Sequence, residues 1–523
     1  MIKKRIGKQG MKYEFKMLKD EYWWGGTSND GVYAPYCQET ELERDFRKEA
    51  SNQAMPMYLS SKGRCIWSEE PFACKIKGGV FRIEGEEVIL ESFGSTLKDA
   101  YLGAMKKHFP PQGDLPEADF FRMPQYNTWM QMTYNQTQTG VLQYAHEIIK
   151  NGFRPGILMI DEGWQNRYGD WTFDKLKFPD PAGMVKELHD LGFKVMLWIV
   201  PYVSPDGLWF VRHSASHFCP EKHFLRTKEG KIAIIPWWNG YSAIFDFTKE
   251  CDRDLLDRQL RALMRDYGVD GFKFDGGSTE NYTLNNPING EADDSFTAVE
   301  RNIAWNDFGT KYRYHEYKDT FKGGGKRSIQ RLRDKRHRWD GDGLNMLIPN
   351  AIAQGLLGHP FICPDMVGGG EWLDRAMGVP ADEELFVRMA QCSALFPMMQ
   401  FSWAPWDALD ANHLSLVKAA HDLHNAFSEK ILALVADACR TGEPILRTLE
   451  YNYPDQGYAT VKDAFMLGEK ILVAPIVSKG ETEREIPLPD GVWCGFDGRE
   501  YVGGKTIRLT VSLSDLPYFE KMK

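Results

Sequence analysis

The middle of the chain alternates between short, largely apolar runs and longer amphipathic segments. The apolar runs have the length and composition of buried strands: GILMID (156–161), KVMLWIVP (194–201), VDGFKFD (269–275), HPFICPDM (359–366) and PMMQFSW (397–403). Between them, residues 141–152, 178–192 and 255–268 place apolar side chains at helical spacing. We predict Asp180 as N-cap and Pro181 as the first residue of the second helix, and Gly268 as the end of the third. This alternation of strand and helix predicts a parallel sheet that is covered by helices on both faces.

The alternation continues over about 300 residues, which is the length that an eightfold βα barrel with insertions requires. We therefore predict that residues 116–435 form a (β/α)8 TIM barrel, in the α/β class. A doubly wound open sheet is the alternative. It is less favoured because no glycine-rich GxGxxG turn follows a first strand.

The two ends of the chain have a different, β-rich pattern. Residues 1–115 contain short alternating runs separated by Gly and Pro, and GVFRIEGEEVILESF (79–93) predicts a β-hairpin. Residues 436–523 return to short strands such as KILVAPIV (470–477) and TIRLTVSL (506–513). We predict a β-rich N-terminal domain at 1–115 and a C-terminal β-sandwich at 436–523.

Composition excludes several classes of protein. The net charge is −9 without a long basic stripe, so a nucleic-acid partner is not expected. No stretch approaches the about 18 apolar residues of a membrane span, and MIKKRIGKQGMKYEF lacks the apolar segment of a signal peptide. The nine cysteines are scattered without a CxxC pair. We expect a cytoplasmic protein with reduced cysteines, and a homo-oligomer remains open.

Acidic residues stand at the ends of four predicted strands: Asp161, Asp246, Asp275 and Asp365. In a βα barrel the chemistry lies at the carboxyl ends of the strands. A single acid there can simply cap the next helix. Four on one rim predict a functional pocket. The high aromatic content of 13% is typical of core packing, and it is also compatible with a site for a flat ligand such as a sugar ring.

Several carboxylates in an aromatic pocket support either a divalent metal site or glycoside hydrolysis by paired carboxylates. The histidines His315, His337 and His359 lie far apart in the sequence, which disfavours the metal, so neither a metal nor a cofactor is expected. The second catalytic carboxylate is sought in RLRDKRHRWDGDGL (331–344), which offers two acids after a tryptophan.

These segments resemble glycoside hydrolase family 31. GFKFD resembles the nucleophile strand of that family, RWDGD its W-x-G-D acid/base motif, and FICPDMVGGG its later P-x-x-x-D-x-x-G segment. MIDEGWQNRYGDWTFDKLKFPDP (159–181) resembles the segment with its strand-end acid and tryptophan, and VKDAFMLGEKILVAPIV the start of its proximal β-domain. The resemblance covers roughly residues 120–515, with five motifs in the family's order.

The resemblance implies a retaining mechanism with Asp275 as nucleophile and Asp342 as acid/base. In such enzymes the two carboxyl groups lie about 5–5.5 Å apart. Lys273 alternates in phase with Asp275, so its ammonium group either keeps that carboxylate charged or forms a salt bridge inside the barrel.

The substrate-binding candidates are acids that accept hydrogen bonds from sugar hydroxyls, tryptophans that stack on the ring, and cations near the acid/base loop. Glu162 either controls entry to the pocket or supports the residues that contact the sugar. Arg333 either contacts the sugar or holds the loop of Asp342. The full set is Asp161, Glu162, Trp164, Trp198, Trp238, Asp246, Lys273, Arg333, Trp339, Asp365 and Trp403.

Two departures from the usual family pattern narrow the expected substrate. GFKFDGG stands where most α-glucosidases of the family have W-x-D-x-N-E, and FPMMQFSWAPW (396–406) lacks their R-x-H segment. Both resemble the branch with the myogenesis-regulating glycosidase and bacterial α-galactosidases. We expect an exo-acting α-galactosidase for short oligosaccharides. The alternatives are an α-glucosidase or α-xylosidase, or a non-catalytic sugar-binding protein.

Overall fold

The computed structural model describes residues 10–48, 52–214 and 222–522. The N-terminal domain is mainly β-sheet and ends in a helix, α1, that begins at a capping box formed by Thr96 and Asp99. Its strands and helix are β1 (Met11–Lys16), β2 (Trp23–Thr27), β3 (Leu42–Asp45), β4 (Gln53–Ser60), β5 (Arg64–Trp67), β6 (Ala73–Lys77), β7 (Val80–Gly85), β8 (Ile89–Ser92) and α1 (Leu97–His108).

These strands form two sheets. One has the order β1-β7-β6-β3, and the other contains β4, β5 and β8 with β2 added on β4. The hairpin prediction for 79–93 is confirmed for β7, which forms an antiparallel hairpin with β6, whereas β8 pairs with β5 in the other sheet. The alternating pattern of apolar residues identified β7 and β8 as strands but did not identify their partners. A period of two determines which face of the sheet each side chain occupies, and it does not determine which strands are neighbours.

The central domain alternates strands and helices as predicted. Its elements are α2 (Asp119–Arg122), β9 (Gln125–Asn127), α3 (Trp129–Met132), α4 (Gln138–Lys150), β10 (Ile157–Ile160), α5 (Pro181–Asp190), β11 (Lys194–Ile199), β12 (Tyr202–Val203), α6 (Leu208–Ser214), β13 (Ile234–Trp237), β14 (Gly240–Ile244), α7 (Glu250–Tyr267), β15 (Gly271–Phe274), α8 (Ala298–Gly309), β16 (Tyr314–Tyr317), β17 (Thr320–Phe321), β18 (Ile329–Arg331), α9 (Leu347–Leu356), β19 (Ile362–Cys363), β20 (Met366–Val367), α10 (Trp372–Ala376), α11 (Glu383–Ala394), β21 (Gln400–Phe401), α12 (Pro405–Ala408) and α13 (Ala411–Thr441).

The parallel strands close into a barrel. Its order is β19-β18-β16-β15-β11-β10-β9-β21-β20, with every pairing parallel. β19 and β20 are separated by only Pro364 and Asp365, so they are two halves of one interrupted strand and the ring has eight positions. The predicted TIM barrel is confirmed.

Local sequence explains how the helices that flank the barrel begin and end. Asp180 caps α5 by accepting a hydrogen bond from the Gly183 amide, and Pro181 occupies the first helical position, as predicted. α7 ends at Gly268, whose φ of 79° lies in the left-handed region that favours glycine.

Between β11 and α7 the chain leaves the barrel and forms a small antiparallel sheet of order β12-β14-β13. The tip of its β13–β14 hairpin carries Trp237 and Trp238. This hairpin lies outside the βα repeat and adds a wall above the carboxyl ends of the barrel strands.

The elements of the C-terminal domain are β22 (Leu446–Arg447), α14 (Leu449–Asn452), β23 (Phe465–Leu467), β24 (Ile471–Val473), β25 (Glu483–Leu488), β26 (Val492–Gly495), β27 (Glu500–Val502), β28 (Lys505–Thr510) and β29 (Tyr518–Lys521). The strands form a six-stranded sheet, order β22-β23-β24-β29-β26-β27, and a two-stranded sheet, β25-β28, consistent with the predicted β-rich domain. A buried apolar cluster that includes Trp493 and Phe519 fills its interior.

No helix within the described ranges is long and apolar enough to cross a membrane. The prediction of uniformly reduced cysteines fails at one position, because Cys251 is disulfide-bonded. Seven other cysteines are free thiols, and most of them are buried as predicted.

Candidate active site

A cavity of about 210 Å³ lies at the carboxyl ends of the barrel strands. The described residues that line it are Trp129, Asp161, Glu162, Trp198, Trp238, Lys273, Asp275, Lys318, Arg331, Asp334, Met366, Glu371 and Trp372. Six of the predicted site residues are in this set: Asp161, Glu162, Trp198, Trp238, Lys273 and Asp275. The structure thus brings together the end of GILMID, the end of GFKFD and the tip of the β13–β14 hairpin.

Asp275 follows β15 and is held firmly. The indole Nε1 of Trp198 donates to its Oδ2 over 3.1 Å, and the Gly276 amide donates to its Oδ1 over 2.9 Å. Burial raises the pKa of Asp275. The nearby cations Lys318, Lys273 and Arg331 lower it by more, so the pKa lies below its ordinary value. Asp275 is therefore an ionised carboxylate with a fixed orientation.

The two glycines after Asp275 have φ values of 63° and 69°. A Cβ at Gly276 would lie 2.6 Å from the Tyr202 hydroxyl, and one at Gly277 would lie 2.6 Å from the Trp305 ring. Glycine is required at both positions because the backbone turns in the left-handed region against two packed rings.

Lys273 does not have Asp275 as its hydrogen-bond partner. Its Nζ donates to Asp161 Oδ2 over 2.6 Å, and both side chains are about 96% buried. Asn127 Nδ2 also donates to Asp161 Oδ2, over 2.8 Å. Of the two predicted roles, the salt bridge inside the barrel is present, and Lys273 also lowers the pKa of Asp275 from the same cavity.

Glu162 is the cavity carboxyl that favours its protonated form. Burial, followed by repulsion from Asp161 and Asp275, raises its pKa to about 8 despite the hydrogen bonds it accepts. Tyr168 Oη donates to Oε1 over 2.7 Å, Trp238 Nε1 donates to Oε2 over 3.3 Å, and Asn239 Nδ2 also donates to Oε1. Glu162 therefore ties the β13–β14 hairpin to the end of β10.

A charged cluster on the opposite wall was missed by the sequence reasoning. Lys318 Nζ lies 2.6 Å from Asp334 Oδ2, and Arg331 also contacts Asp334. Arg331 is the last residue of the short strand IQR, and Lys318 follows YHEY; neither segment was predicted as a strand. The alternation in RYHEYKD is the signal that could have located Lys318.

Two of the predicted strand-end acids are not among the described residues that line the cavity. Asp246 accepts from Arg301 Nε over 3.2 Å, and both side chains are almost fully buried. Asp365 accepts from Arg331 Nη1 over 2.7 Å and from the Lys335 amide over 2.6 Å. It has a φ of 85°, which is unusual for a residue other than glycine, and it anchors Arg331 and the loop that follows.

Two of the predicted tryptophans pack in the protein interior. Trp164 is fully buried, donates its indole hydrogen to the Trp198 carbonyl over 2.9 Å, and packs on Phe173. Trp403 packs on Phe386 and under Arg375. By contrast, Trp238 is 52% exposed, and Trp129 and Trp372 are cavity residues that the sequence did not single out.

The loop at residues 332–343 carries the remaining predicted residues. Asp342 is half-buried, and its carbonyl accepts from the Arg336 amide over 2.9 Å. Trp339 Nε1 donates to Asp382 Oδ2 over 3.1 Å, and Arg333 is exposed. None of these three is among the described lining residues. Their roles, including that of Asp342 as acid/base, stay predictions.

Family profiles match most of the chain. The Glycosyl hydrolases family 31 TIM-barrel domain matches residues 122–408, and the Glycosyl hydrolase family 31 C-terminal domain matches residues 442–522. The chain belongs to glycoside hydrolase family 31. The expected family is thereby confirmed.

Similar family 31 proteins come from several branches. The chain is 31% identical to the Myogenesis-regulating glycosidase of Mus musculus over 82% of this chain and 60% of that protein. It is 26% identical to Alpha-glucosidase 2 of Bacillus thermoamyloliquefaciens over 76% of this chain and 53% of that protein. It is also 26% identical to a Sulfoquinovosidase of Agrobacterium fabrum over 96% of this chain and 81% of that protein. The chain thus spans only part of the length of the first relatives.

A solved family 31 structure has the same fold. The Flavobacterium johnsoniae GH31 dextranase, complexed with glucose, superimposes with a TM-score of 0.83 at 20% identity, over 98% of this chain and 67% of that chain. This similarity concerns the fold. The cavity of this family 31 chain combines an ionised carboxylate, a protonated one and aromatic walls.

Proposed function

We propose that this chain is a retaining, exo-acting α-glycosidase with Asp275 as its nucleophile. The observation that carries the proposal is the state of Asp275: an oriented, ionised carboxylate at the carboxyl end of a barrel strand, in a cavity with tryptophan walls. Membership of glycoside hydrolase family 31 supports the reaction class. The cavity is small for a ligand site, which favours one terminal sugar ring over an internal stretch of polysaccharide.

In the proposed first step, an Asp275 oxygen attacks the anomeric carbon. The bond from that carbon to the leaving oxygen breaks, and Asp342 gives its proton to that oxygen. In the second step, Asp342 takes a proton from water, the water oxygen attacks the same carbon, and the ester bond to Asp275 breaks. Two displacements at one carbon retain its configuration.

For the sugar, we propose a terminal α-linked galactose of a short oligosaccharide. The support is the GFKFDGG and FPMMQFSWAPW departures, together with 31% identity to the Myogenesis-regulating glycosidase. An α-glucoside or α-xyloside is the second candidate, because proteins named as an α-glucosidase and an α-xylosidase are among the relatives. A non-catalytic sugar-binding protein is a further alternative.

The test compares the hydrolysis of aryl α-galactoside, α-glucoside and α-xyloside by the wild type and by Asp275→Asn. We expect turnover of the galactoside, retention of the anomer in the first product seen by proton NMR, and loss of turnover in the variant. Preference for another sugar would replace the substrate proposal and keep the mechanism. Binding without turnover in the wild type would favour the sugar-binding protein, and sensitivity to a chelator would favour a metal enzyme.

A second experiment identifies the proton donor. Asp342→Asn is compared with Glu162→Gln, because Glu162 is the cavity carboxyl that keeps its proton near neutral pH. Loss of the proton donor slows substrates with poor leaving groups more than aryl glycosides with good ones. We expect this dependence for Asp342→Asn. If Glu162→Gln shows it instead, the acid/base assignment moves to Glu162.

We further propose a cytoplasmic location and leave a homo-oligomer as an open proposal. Cell fractionation tests the first, and sedimentation velocity of the full chain tests the second. Protein recovered outside the cytoplasm would contradict the location.

A further inference from the structure

Lys318 and Asp275 stand side by side at the ends of neighbouring barrel strands. In the parallel pair β15 and β16, Lys273 lies opposite Glu316 and Phe274 lies opposite Tyr317. The next residue on each strand is Asp275 and Lys318, respectively. Because neighbouring strands are about 4.8 Å apart, this register brings the two side chains to one place. Both line the cavity.

Lys318 is held on both sides. Its side chain is 19% exposed, and its Nζ lies 2.6 Å from Asp334 Oδ2. Its carbonyl accepts from Asn52 Nδ2 over 3.1 Å and from Gln53 Nε2 over 2.9 Å. Gln53 begins β4 of the N-terminal domain and also donates to the Arg331 carbonyl over 3.0 Å. No described lining residue comes from the N-terminal domain, yet that domain fixes the strand ends that carry two cations of the cavity.

The other cations of the cavity are engaged elsewhere. Lys273 is paired with Asp161, and Arg331 is shared between Asp365 and Asp334. Asp334 has two cationic partners, Lys318 and Arg331, so its one negative charge is shared between two positive charges. Lys318 is accordingly the largest of the cationic influences that lower the pKa of Asp275.

We propose that Lys318, held by Asp334 and Gln53, is a positioning residue that supplies the positive charge beside the nucleophile Asp275. The inference rests on the proposed function. The sequence expectation gave Lys273 either this role or a salt bridge inside the barrel, and it did not consider Lys318. It also predicts that the N-terminal domain affects catalysis through Gln53 without touching the substrate.

Several charged and titratable groups surround Asp275 and interact electrostatically with it. They are Lys273 on its own strand, Asp161 and Glu162 after β10, Tyr202 on β12, Lys318 and Asp319 after β16, Arg331 on β18, and Asp334 after it. The variants for the test change Lys318 alone and leave the rest in place.

The test measures kcat/KM for an aryl α-glycoside against pH in the wild type, Lys318→Met, Lys318→Arg and Lys322→Met. The acid limb of this profile reports the carboxylate of the free enzyme that must be ionised. Removing a neighbouring cation raises such a pKa by about 1 to 3 units. We expect the Lys318→Met limb to move to higher pH by that amount, with about a tenfold loss per unit on the acid side, and recovery at higher pH.

Lys318→Arg keeps the charge and is expected to keep the limb near its wild-type position. Lys322→Met is the matched control, since Lys322 is nearby in sequence but binds Glu69 of the N-terminal domain and is not a described lining residue. An equal loss of kcat/KM at every pH in Lys318→Met would mean a structural role and would overturn the proposal. If that variant does not fold, Lys318→Gln, which still donates to Asp334, replaces it.

A measurement without turnover separates this inference from the proposed function. The titration of the Asp275 carboxyl carbon is followed by carbon-13 NMR in wild type and Lys318→Met, with its signal assigned by its absence in Asp275→Asn. An upward shift of the titration supports the role of Lys318 even if no glycoside is hydrolysed. An unchanged titration overturns that role even if the enzyme is active.

Discussion

Asp161 and Asp275 differ from Asp246 and Asp365 in what surrounds them, although all four follow an apolar run in the sequence. Asp161 and Asp275 follow β10 and β15 and face the cavity. Asp246 follows β14, which belongs to the small antiparallel sheet, and is neutralised by Arg301. Asp365 interrupts a barrel strand and is neutralised by Arg331.

The difference shows that an acid at a strand end becomes a candidate for chemistry only when its oxygens are left facing a cavity. A buried acid that faces a guanidinium group instead of a cavity is a structural element, because its negative charge is already compensated.

Asp275→Asn should lower kcat/KM by at least about 10³-fold, since an amide cannot form the glycosyl ester. Circular dichroism and sugar binding should stay near wild type, because the backbone turn at Gly276 and Gly277 is unchanged. Turnover within about tenfold of wild type would remove Asp275 as the nucleophile.

Asp246→Asn should have the opposite pattern. Among the described residues, it leaves Asp293 as the one ion-pair partner of the buried Arg301, so the free energy of unfolding should fall by about 3–5 kcal/mol. At a temperature where the variant is folded, kcat/KM should equal that of wild type. Urea unfolding measures the loss of stability, and initial rates measure kcat/KM. A large loss of kcat/KM with unchanged stability would place Asp246 in the site after all.

Trp238→Ala should weaken substrate binding by roughly 1–2 kcal/mol, or about tenfold in KM, because it removes an exposed aromatic wall of the cavity. Tyr241→Ala is the matched control, since Tyr241 lies on the same hairpin, is 59% exposed and is not a described lining residue. Equal effects of the two variants would indicate a general loosening of the hairpin.

Glu162→Gln should change how stability depends on pH. The folded-state pKa of about 8 lies above the ordinary value of 4.5, so the native state holds a proton that the unfolded chain releases. The free energy of unfolding should therefore fall as pH rises from 4.5 towards 8, and the variant should lose this component. Thermal unfolding of both proteins across this range checks it, and parallel curves would contradict the raised pKa.

Much of the fold was predictable because its local signals agree with the tertiary structure. The runs GILMID and KVMLWIVP became β10 and β11, and the Asp180–Pro181 start and the Gly268 end of two helices were confirmed. The barrel strands β9, β16 and β18 were missed because they are short and contain polar residues such as Gln125 and Glu316. Those residues are buried inside the barrel, where hydrogen bonds and ion pairs replace the apolar contacts that a pattern search expects.

The candidate site was predicted in part. Asp275, Asp161 and Trp198 could be identified because each ends a recognisable strand, and parallel strands of one barrel end on the same rim. The alternation in RYHEYKD could have located Lys318 at a strand end, but nothing in RYHEYKD or RLRDKRH shows that Lys318 pairs with Asp334. Trp164 and Trp238 have the same residue type, and only their packing separates a core side chain from a cavity wall.

Periodicity and short motifs were enough to predict the barrel, the family and the place of Asp275 at the end of a barrel strand, because they are local properties of the chain. The tertiary structure alone decided which charges compensate one another. It pairs Lys273 with Asp161, Arg331 with Asp365, and Lys318 with Asp334, across separations of 112, 34 and 16 residues. Electrostatic energy depends on distance in space, and the fold sets that distance.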